Sequence, residues 1–150
     1  MPYMHMNTLV GPLTVFEDHG AIVAIEWGRA PEPASSPLLA EAKAQLDAYF
    51  DRRLRAFDLP LEAAGTAFQK AVWRAMAEIP YGETRTYADI AHAVDSAPRA
   101  VGGACGRNPI PIVVPCHRVV GTNGTLTGFS GGDGLATKRA LLSLEGFDPG

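Results

Sequence analysis

Ile110 to Val120, IPIVVPCHRVV, is the stretch on which the reading of this chain turns. Its first five residues are apolar and rich in β-branched side chains, which predicts a short buried strand over 110–114. Pro115 has no N–H to give to a sheet ladder, so pairing is expected to stop there. Cys116, His117 and Arg118 come next, before the apolar pair Val119-Val120. A thiol, an imidazole and a guanidinium thus arrive together at the end of an apolar segment. That suits a soft nucleophile held still in a mostly dry pocket.

Upstream, PRAVGGACG (Pro98 to Gly106) predicts a helix with adjacent glycines, Gly102 and Gly103. Each costs about 1 kcal/mol relative to alanine in a helix interior. Such a pair fits either tight helix–helix packing or an outside surface that must approach the backbone closely. A helix that reads the major groove presents long polar side chains. This one offers only Arg99 and Arg107 around Ala100, Gly102 and Gly103, a composition suited to sequence-tolerant minor-groove docking. Earlier, Thr66-Ala67-Phe68-Gln69 predicts a capping box. It opens a helix with Phe68, Val72, Ala75, Met76 and Ile79 on its inner face, stopped by Pro80. Thr86 and Asp89 open a second helix that reaches His92 or Val94, and Ser96 is the expected N-cap of the third. The second and third helices form a helix-turn-helix pattern.

Downstream, Gly121 to Gly124 predicts a turn and Leu126 to Gly132 a glycine-rich loop placed as a pocket wall. The loop lacks the Lys-Ser/Thr of a phosphate-binding loop. Leu135, Leu141, Leu142 and Leu144 supply the apolar face of a last helix, with Glu145 at its end and Gly146 as its cap.

Met1 to Trp27 alternates apolar and polar residues between turn signals at Gly11-Pro12 and Asp18-His19-Gly20, which predicts three short antiparallel strands. Ala30 to Pro37 reads as a linker. Ser36 with Pro37 starts a helix, and Leu38, Leu39, Ala42, Leu46, Tyr49 and Phe50 recur at helical spacing. Its expected end is Arg52 or Arg53. Nothing in this half carries obvious chemistry, and it reads as a scaffold.

A net charge of −3 over 150 residues excludes nucleic-acid binding by bulk charge. Residues 1–65 hold five Lys/Arg and nine Asp/Glu, whereas residues 66–145 hold eight and six. The second part is the half suited to a polyanion, through placed contacts. Cys105 and Cys116 make no disulfide framework, and their plain reading is reduced thiols in a cytosolic protein. MPYMHMNTLV does not read as a secretory leader. No stretch approaches the ~20 apolar residues of a membrane span. His5, His19, His92 and His117 match no zinc spacing.

NPIPIVVPCHRVVG, from Asn108 to Gly121, resembles the active-site signature of the O6-alkylguanine-DNA alkyltransferases, also called methylated-DNA–protein-cysteine methyltransferases. IPYGET, from Ile79 to Thr84, is a phrase common in that family, and further matches run from about Phe68 to Gly146. The resemblance implies an α+β fold in two domains. Residues 1–62 would form a ribonuclease-H-like scaffold, a three-stranded antiparallel sheet with a helix. Residues 63–150 would form a mostly helical DNA-binding domain with the helix-turn-helix and a short active-site strand.

A free thiol with a pKa of about 8.5 is only a few per cent thiolate at neutral pH, so Cys116 needs a base. His117 is its neighbour, but successive residues of an extended chain point to opposite faces, and a water is expected to bridge them. The imidazole needs a third group to hold its tautomer, and Glu145 is the candidate. The resemblance implies this same Cys116–water–His117–Glu145 relay, with Asn108 bracing the turn before it. It further implies that Tyr87 donates to the guanine ring, that Val119 and Cys116 offer carbonyls to the base, and that Ser130 contacts its O6 side. Arg99 would enter the base stack as a finger, with Ala100, Gly102, Gly103 and Arg107 on the same docking helix, and Lys138 would support the loop. Phe129 stands where many relatives have Tyr, which bears on substrate range.

The implied reaction is irreversible transfer of the alkyl group from O6-alkylguanine to Cys116, one turnover per molecule, with O4-alkylthymine as a second base to test. The implied partner is double-stranded DNA, bound through the minor groove by a cytoplasmic monomer, with no metal, cofactor or membrane. From the residues alone two other readings stay open: a thiol hydrolase using Cys116 and His117, and a helix-turn-helix lesion sensor or regulator that performs no repair.

Overall fold

The protein is described here by a computed structural model that covers residues 1–29, 36–129 and 131–147. Most of the expected linker after Ala30, and Ser130, lie outside these residues. Strands β1 (Tyr3–Thr8), β2 (Gly11–Asp18) and β3 (Ala21–Trp27) form an antiparallel sheet in that order. The first turn falls on Leu9 and Val10 and not on Gly11-Pro12. Thr8 closes it: its hydroxyl donates to Gly11 O at 2.7 Å and accepts from the Val10 N–H at 3.1 Å. His19 and Gly20 both take positive φ in the second turn, as a tight hairpin with right-handed strand twist requires. Alternation then puts Met4, Met6, Leu13, Val15 and Ile25 in the core, and a register shift opposite Phe16-Glu17 lets Ile22 join them.

Helix α1 (Pro37–Phe50) covers that face with Leu39, Ala42, Leu46 and Tyr49. The Ser36 hydroxyl caps it by accepting from the Leu39 N–H at 3.1 Å. The helix stops at Phe50, with Asp51 as its cap and Arg52 in the left-handed region at φ 60°, so neither arginine lies in its last turn. The chain then returns along β3, where the Ile22 N–H donates to Pro60 O and Ile22 O accepts from the Glu62 N–H, at 2.8 and 2.9 Å. Gln45 reaches from α1 to pin this return, exchanging bonds of 2.9 and 2.8 Å with the Asp58 backbone.

The remainder is helical. Helix α2 (Ala67–Ala77) starts with the expected capping box, Thr66 and Gln69 bonding reciprocally. Its inner face is Val72, Trp73 and Met76, while Phe68, expected inside, is 36% exposed. Trp73 Nε1 donates to Ala104 O at 2.9 Å and so ties α2 to α4 (Pro98–Gly106). Helix α3 (Tyr87–Ala93) has its own Thr86–Asp89 capping box. The turn to α4 differs from expectation. Ala97, not Ser96, is the N-cap, and the Ser96 N–H is spent on Ala91 O at 2.8 Å.

The stretch before the thiol is buried, but Ile110 to Val114 is not a strand. Pro109 and Pro111 have no N–H, so no ladder can run through it. The chain turns, with Ile112 at φ 74° and Val114 N–H donating to Ile110 O at 3.0 Å. Cys116–Arg118 is one turn of 3-10 helix, and the strand comes after the thiol. That strand, β5 (Val119–Val120), pairs in parallel with β4 (Arg85–Thr86). Helix α5 (Leu135–Leu144) then packs Leu141, Leu142 and Leu144 inward, while Leu135, expected on that face, is 46% exposed.

Candidate active site

Asn108 shapes the turn that presents the thiol. Its Nδ2 donates to Val114 O at 2.9 Å and its Oδ1 accepts from the Ile110 N–H at 3.0 Å. One side chain therefore clamps both ends of a segment that two prolines keep out of any sheet. Cys116 follows, 8% exposed, on the wall of a cavity of about 460 Å³. Burial pushes its thiol up; the Asn108 side chain, the Lys138 charge and the Cys116 and His117 backbone N–H groups pull it back. The second thiol, Cys105, lines the same cavity, but burial pushes it up to about 12 and its Sγ lies 3.3 Å from Met76 Sδ. At neutral pH it is a protonated, inert thiol.

His117 is fully buried, and its Nε2 meets Glu145 Oε2 at 2.7 Å. An ionised carboxylate only accepts, so the imidazole proton sits on Nε2. Nδ1 is then a bare lone pair, and it is the one buried side-chain polar atom among the described residues with no hydrogen-bond partner. Burial holds His117 below its ordinary value, against the pull of Glu145. A neutral imidazole with an unspent basic nitrogen is what a proton acceptor requires.

The carboxylate is held harder than the sequence suggested. Glu145 is 5% exposed, not a solvated helix end. Arg118 grips it with Nε on Oε1 at 2.8 Å and Nη2 on Oε2 at 3.0 Å, and places Nη1 on Ile79 O at 2.7 Å. Burial alone would raise the Glu145 carboxyl. The hydrogen bonds from His117, Arg118 and the Tyr49 hydroxyl outweigh it and hold the group at about 2. Sequence reasoning named Arg118 only as a neighbour of the thiol. The signal for its role was the cost of burying a guanidinium in so apolar a run without a carboxylate.

Tyr87 and Phe129 line the cavity with Cys116. The Tyr87 hydroxyl donates to Thr127 O at 3.1 Å, and burial keeps the phenol protonated. Gly128 makes this approach possible, since a Cβ there would stand 2.6 Å from the Tyr87 oxygen. Lys138 is fully buried, and its ammonium donates to Val119 O and, at 2.8 Å, to Thr127 O. Val119, expected to offer its carbonyl to the base, is fully buried and is not among the residues that line the cavity. Ser130 lies outside the described residues. Arg99, Ala100 and Gly103 are exposed on α4 and Gly102 partly so, while Arg107, also exposed, is the cap that ends the helix. Nothing lies within 4 Å of a Cβ added to Gly102 or Gly103. Tight helix packing therefore does not account for the glycine pair.

One wall of the cavity comes from β3, which was expected to be plain scaffold. The Trp27 ring meets Phe129 edge-on at 6.1 Å, and a Cβ on Gly131 would strike Trp27 Nε1 at 2.4 Å. The Ile25 N–H donates to Pro109 O at 2.9 Å and locks the strand to the turn before the thiol.

Two family models match the chain. One is described as 6-O-methylguanine DNA methyltransferase, DNA binding domain, and covers residues 67–147; the other, the ribonuclease-like domain of the same family, covers residues 1–63. The chain is similar to the methylated-DNA–protein-cysteine methyltransferase of Methanosarcina acetivorans, at 44% identity over 97% of this chain and 99% of that one. It is equally similar to the constitutive enzyme of Bacillus subtilis, at 44% identity over 95% and 94% of the two chains. The crystal structure of Mycobacterium tuberculosis OGT in complex with DNA shares the fold, with a TM-score of 0.86 and 44% identity over 97% of this chain and 92% of that one.

Proposed function

The chain belongs to the 6-O-methylguanine DNA methyltransferase family, and from that premise we propose that it repairs O6-alkylguanine in DNA by taking the alkyl group onto Cys116. The observation that carries the assignment to this residue is the buried, unpaired Nδ1 of His117, one residue from a thiol on a cavity wall. The target carbon is out of reach inside a duplex, so the nucleotide is extruded into the cavity at a cost of a few kcal/mol. His117 Nδ1 takes the thiol proton, through a bridging water. Glu145 and Arg118 keep the imidazole in the correct tautomer. The sulfur then attacks the alkyl carbon in line; the S–C bond forms and the C–O6 bond breaks. The electron pair passes to the purine, which takes a proton from the Tyr87 hydroxyl at a ring nitrogen. The product is a thioether with no hydrolysable bond, so each molecule acts once.

The DNA is proposed to lie along α4, in the minor groove. The open space over Gly102 and Gly103 supports a close approach of the duplex, and Arg99 stands ready to fill the gap left in the base stack. We further propose that the protein works as a monomer in the cytoplasm and divides at residue 62/63; the bounds of the two family models, 63 and 67, support that division. The test is stoichiometric. Mixed with duplex DNA carrying labelled O6-methylguanine, the protein should gain one methyl mass on the peptide containing Cys116, and Cys116→Ser should gain none while still binding DNA. Turnover beyond one equivalent, as a thiol hydrolase would give, overturns the proposal.

A further inference from the structure

Glu145 Oε2 is crowded. It receives His117 Nε2 at 2.7 Å, Arg118 Nη2 at 3.0 Å and the hydroxyl of Tyr49 at 2.6 Å. Tyr49 belongs to α1, 96 residues away in sequence, in the half that carries no other contact to the relay carboxylate among the bonds described. It is fully buried. Its ring is wedged by Phe50, Phe57 and Tyr81, with centroids at 5.1, 5.4 and 6.3 Å. Tyr81 in turn lies under the Arg118 guanidinium at 5.7 Å. The phenol can therefore neither swing away nor find another acceptor without breaking this cluster.

A carboxylate oxygen has about two lone-pair sites, and here three donors share one oxygen. Whatever charge density Tyr49 draws is withheld from His117. We propose that Tyr49 is a positioning residue for the relay, through which the N-terminal half fixes the Glu145 carboxylate and limits how much of its charge reaches the imidazole. The inference rests on the Cys116–His117–Glu145 reading above. Tyr49 moves no proton itself, because burial and the neighbouring Glu145 charge raise its phenol far above neutral pH. The groups that face the pair are Tyr49 from α1, Tyr81 from the turn after α2, Arg118 beside His117 and Lys138 from α5.

Removing the hydroxyl leaves Oε2 to His117 and Arg118. His117 becomes the stronger base, and the Cys116 thiolate forms at lower pH. The experiment is the pH–rate profile of Cys116 alkylation by iodoacetamide, read by mass on its peptide, in the wild type, Tyr49→Phe and His117→Asn. Phe keeps the ring and its aromatic contacts. Tyr49→Phe should move the midpoint to lower pH by about 0.5 unit or more, since a bond to a charged acceptor is worth more than one such step. A merely structural residue would change the melting temperature and leave the midpoint where it was. An unmoved midpoint, with His117→Asn still altering the profile, overturns the role of Tyr49 and spares the relay. A profile indifferent to both substitutions overturns the relay and the inference together. A measurement without any variant guards against misfolding. In the wild type, the Tyr49 hydroxyl proton should appear in the NMR spectrum as a downfield, slowly exchanging signal, and its absence overturns the proposal as well.

Discussion

Replacing Glu145 by Gln tests the centre of the site, and its cost can be worked from the structure. Gln copies the shape of the protonated acid and removes the charge. The folded protein holds the carboxyl at about 2, against 4.5 for the free side chain. At 1.36 kcal/mol per unit, that difference is about 3 kcal/mol in favour of the ionised form. Breaking a buried ion pair by deleting one partner costs roughly 3–5 kcal/mol, which agrees. Glu145→Gln should therefore lose about 3 kcal/mol at pH 7, or roughly 6–12 °C in Tm for a chain of this size. The sign of the pH dependence follows from the depressed value. The stabilisation is fully present above about 4.5, and is lost as pH falls through the folded value near 2. About 2 kcal/mol of it should be gone at pH 3, so the gap between wild type and variant should narrow to near 1 kcal/mol. Burial lowers His117 too, so both proteins lose further stability below about pH 6.5, and the difference between them is the quantity to read. Urea unfolding from pH 7 to pH 3 measures it. Equal stabilities at pH 7, or a gap that does not close on acidification, would refute the claim that Arg118 and His117 hold an ionised Glu145.

Two further outcomes follow from the surfaces around the thiol. Arg99→Ala should slow methyl transfer from duplex DNA on the order of tenfold or more, yet leave the reaction with free O6-alkylguanine base unchanged. Single-turnover rates on the two substrates check this, and equal slowing of both would remove Arg99 from the base stack. Trp27→Ala takes away the wall against Phe129 and Gly131, so transfer of a benzyl group should gain relative to a methyl group. Competition between the two adducts reads this, and an unchanged ratio would show that β3 does not shape the pocket.

Much of this protein is written locally and can be read from the chain. The capping boxes at Thr66 and Thr86, the Ser36 cap, the hairpin at His19-Gly20 and the helix-turn-helix depend on residues within a few positions of one another. So does the Pro-Cys-His-Arg turn, whose chemistry is legible through its resemblance to the alkyltransferase signature; the residues alone leave a thiol hydrolase open. Where local signals conflicted, the reading failed. The β-branched run at Ile110 to Val114 promised a strand, but prolines and the Asn108 clamp made it a turn.

What no sequence window holds is which distant groups meet. Glu145 in isolation is an ordinary helix-terminal carboxylate. Folding brings it Arg118 and His117 from the thiol turn and Tyr49 from the opposite half, and the exclusion of water makes those bonds strong enough to hold its charge. Trp27 reads as one more strand residue until the sheet swings it over Gly131. Spacing along the chain encodes elements and their ends; burial, which depends on every element at once, decides which polar groups become partners and what each can do.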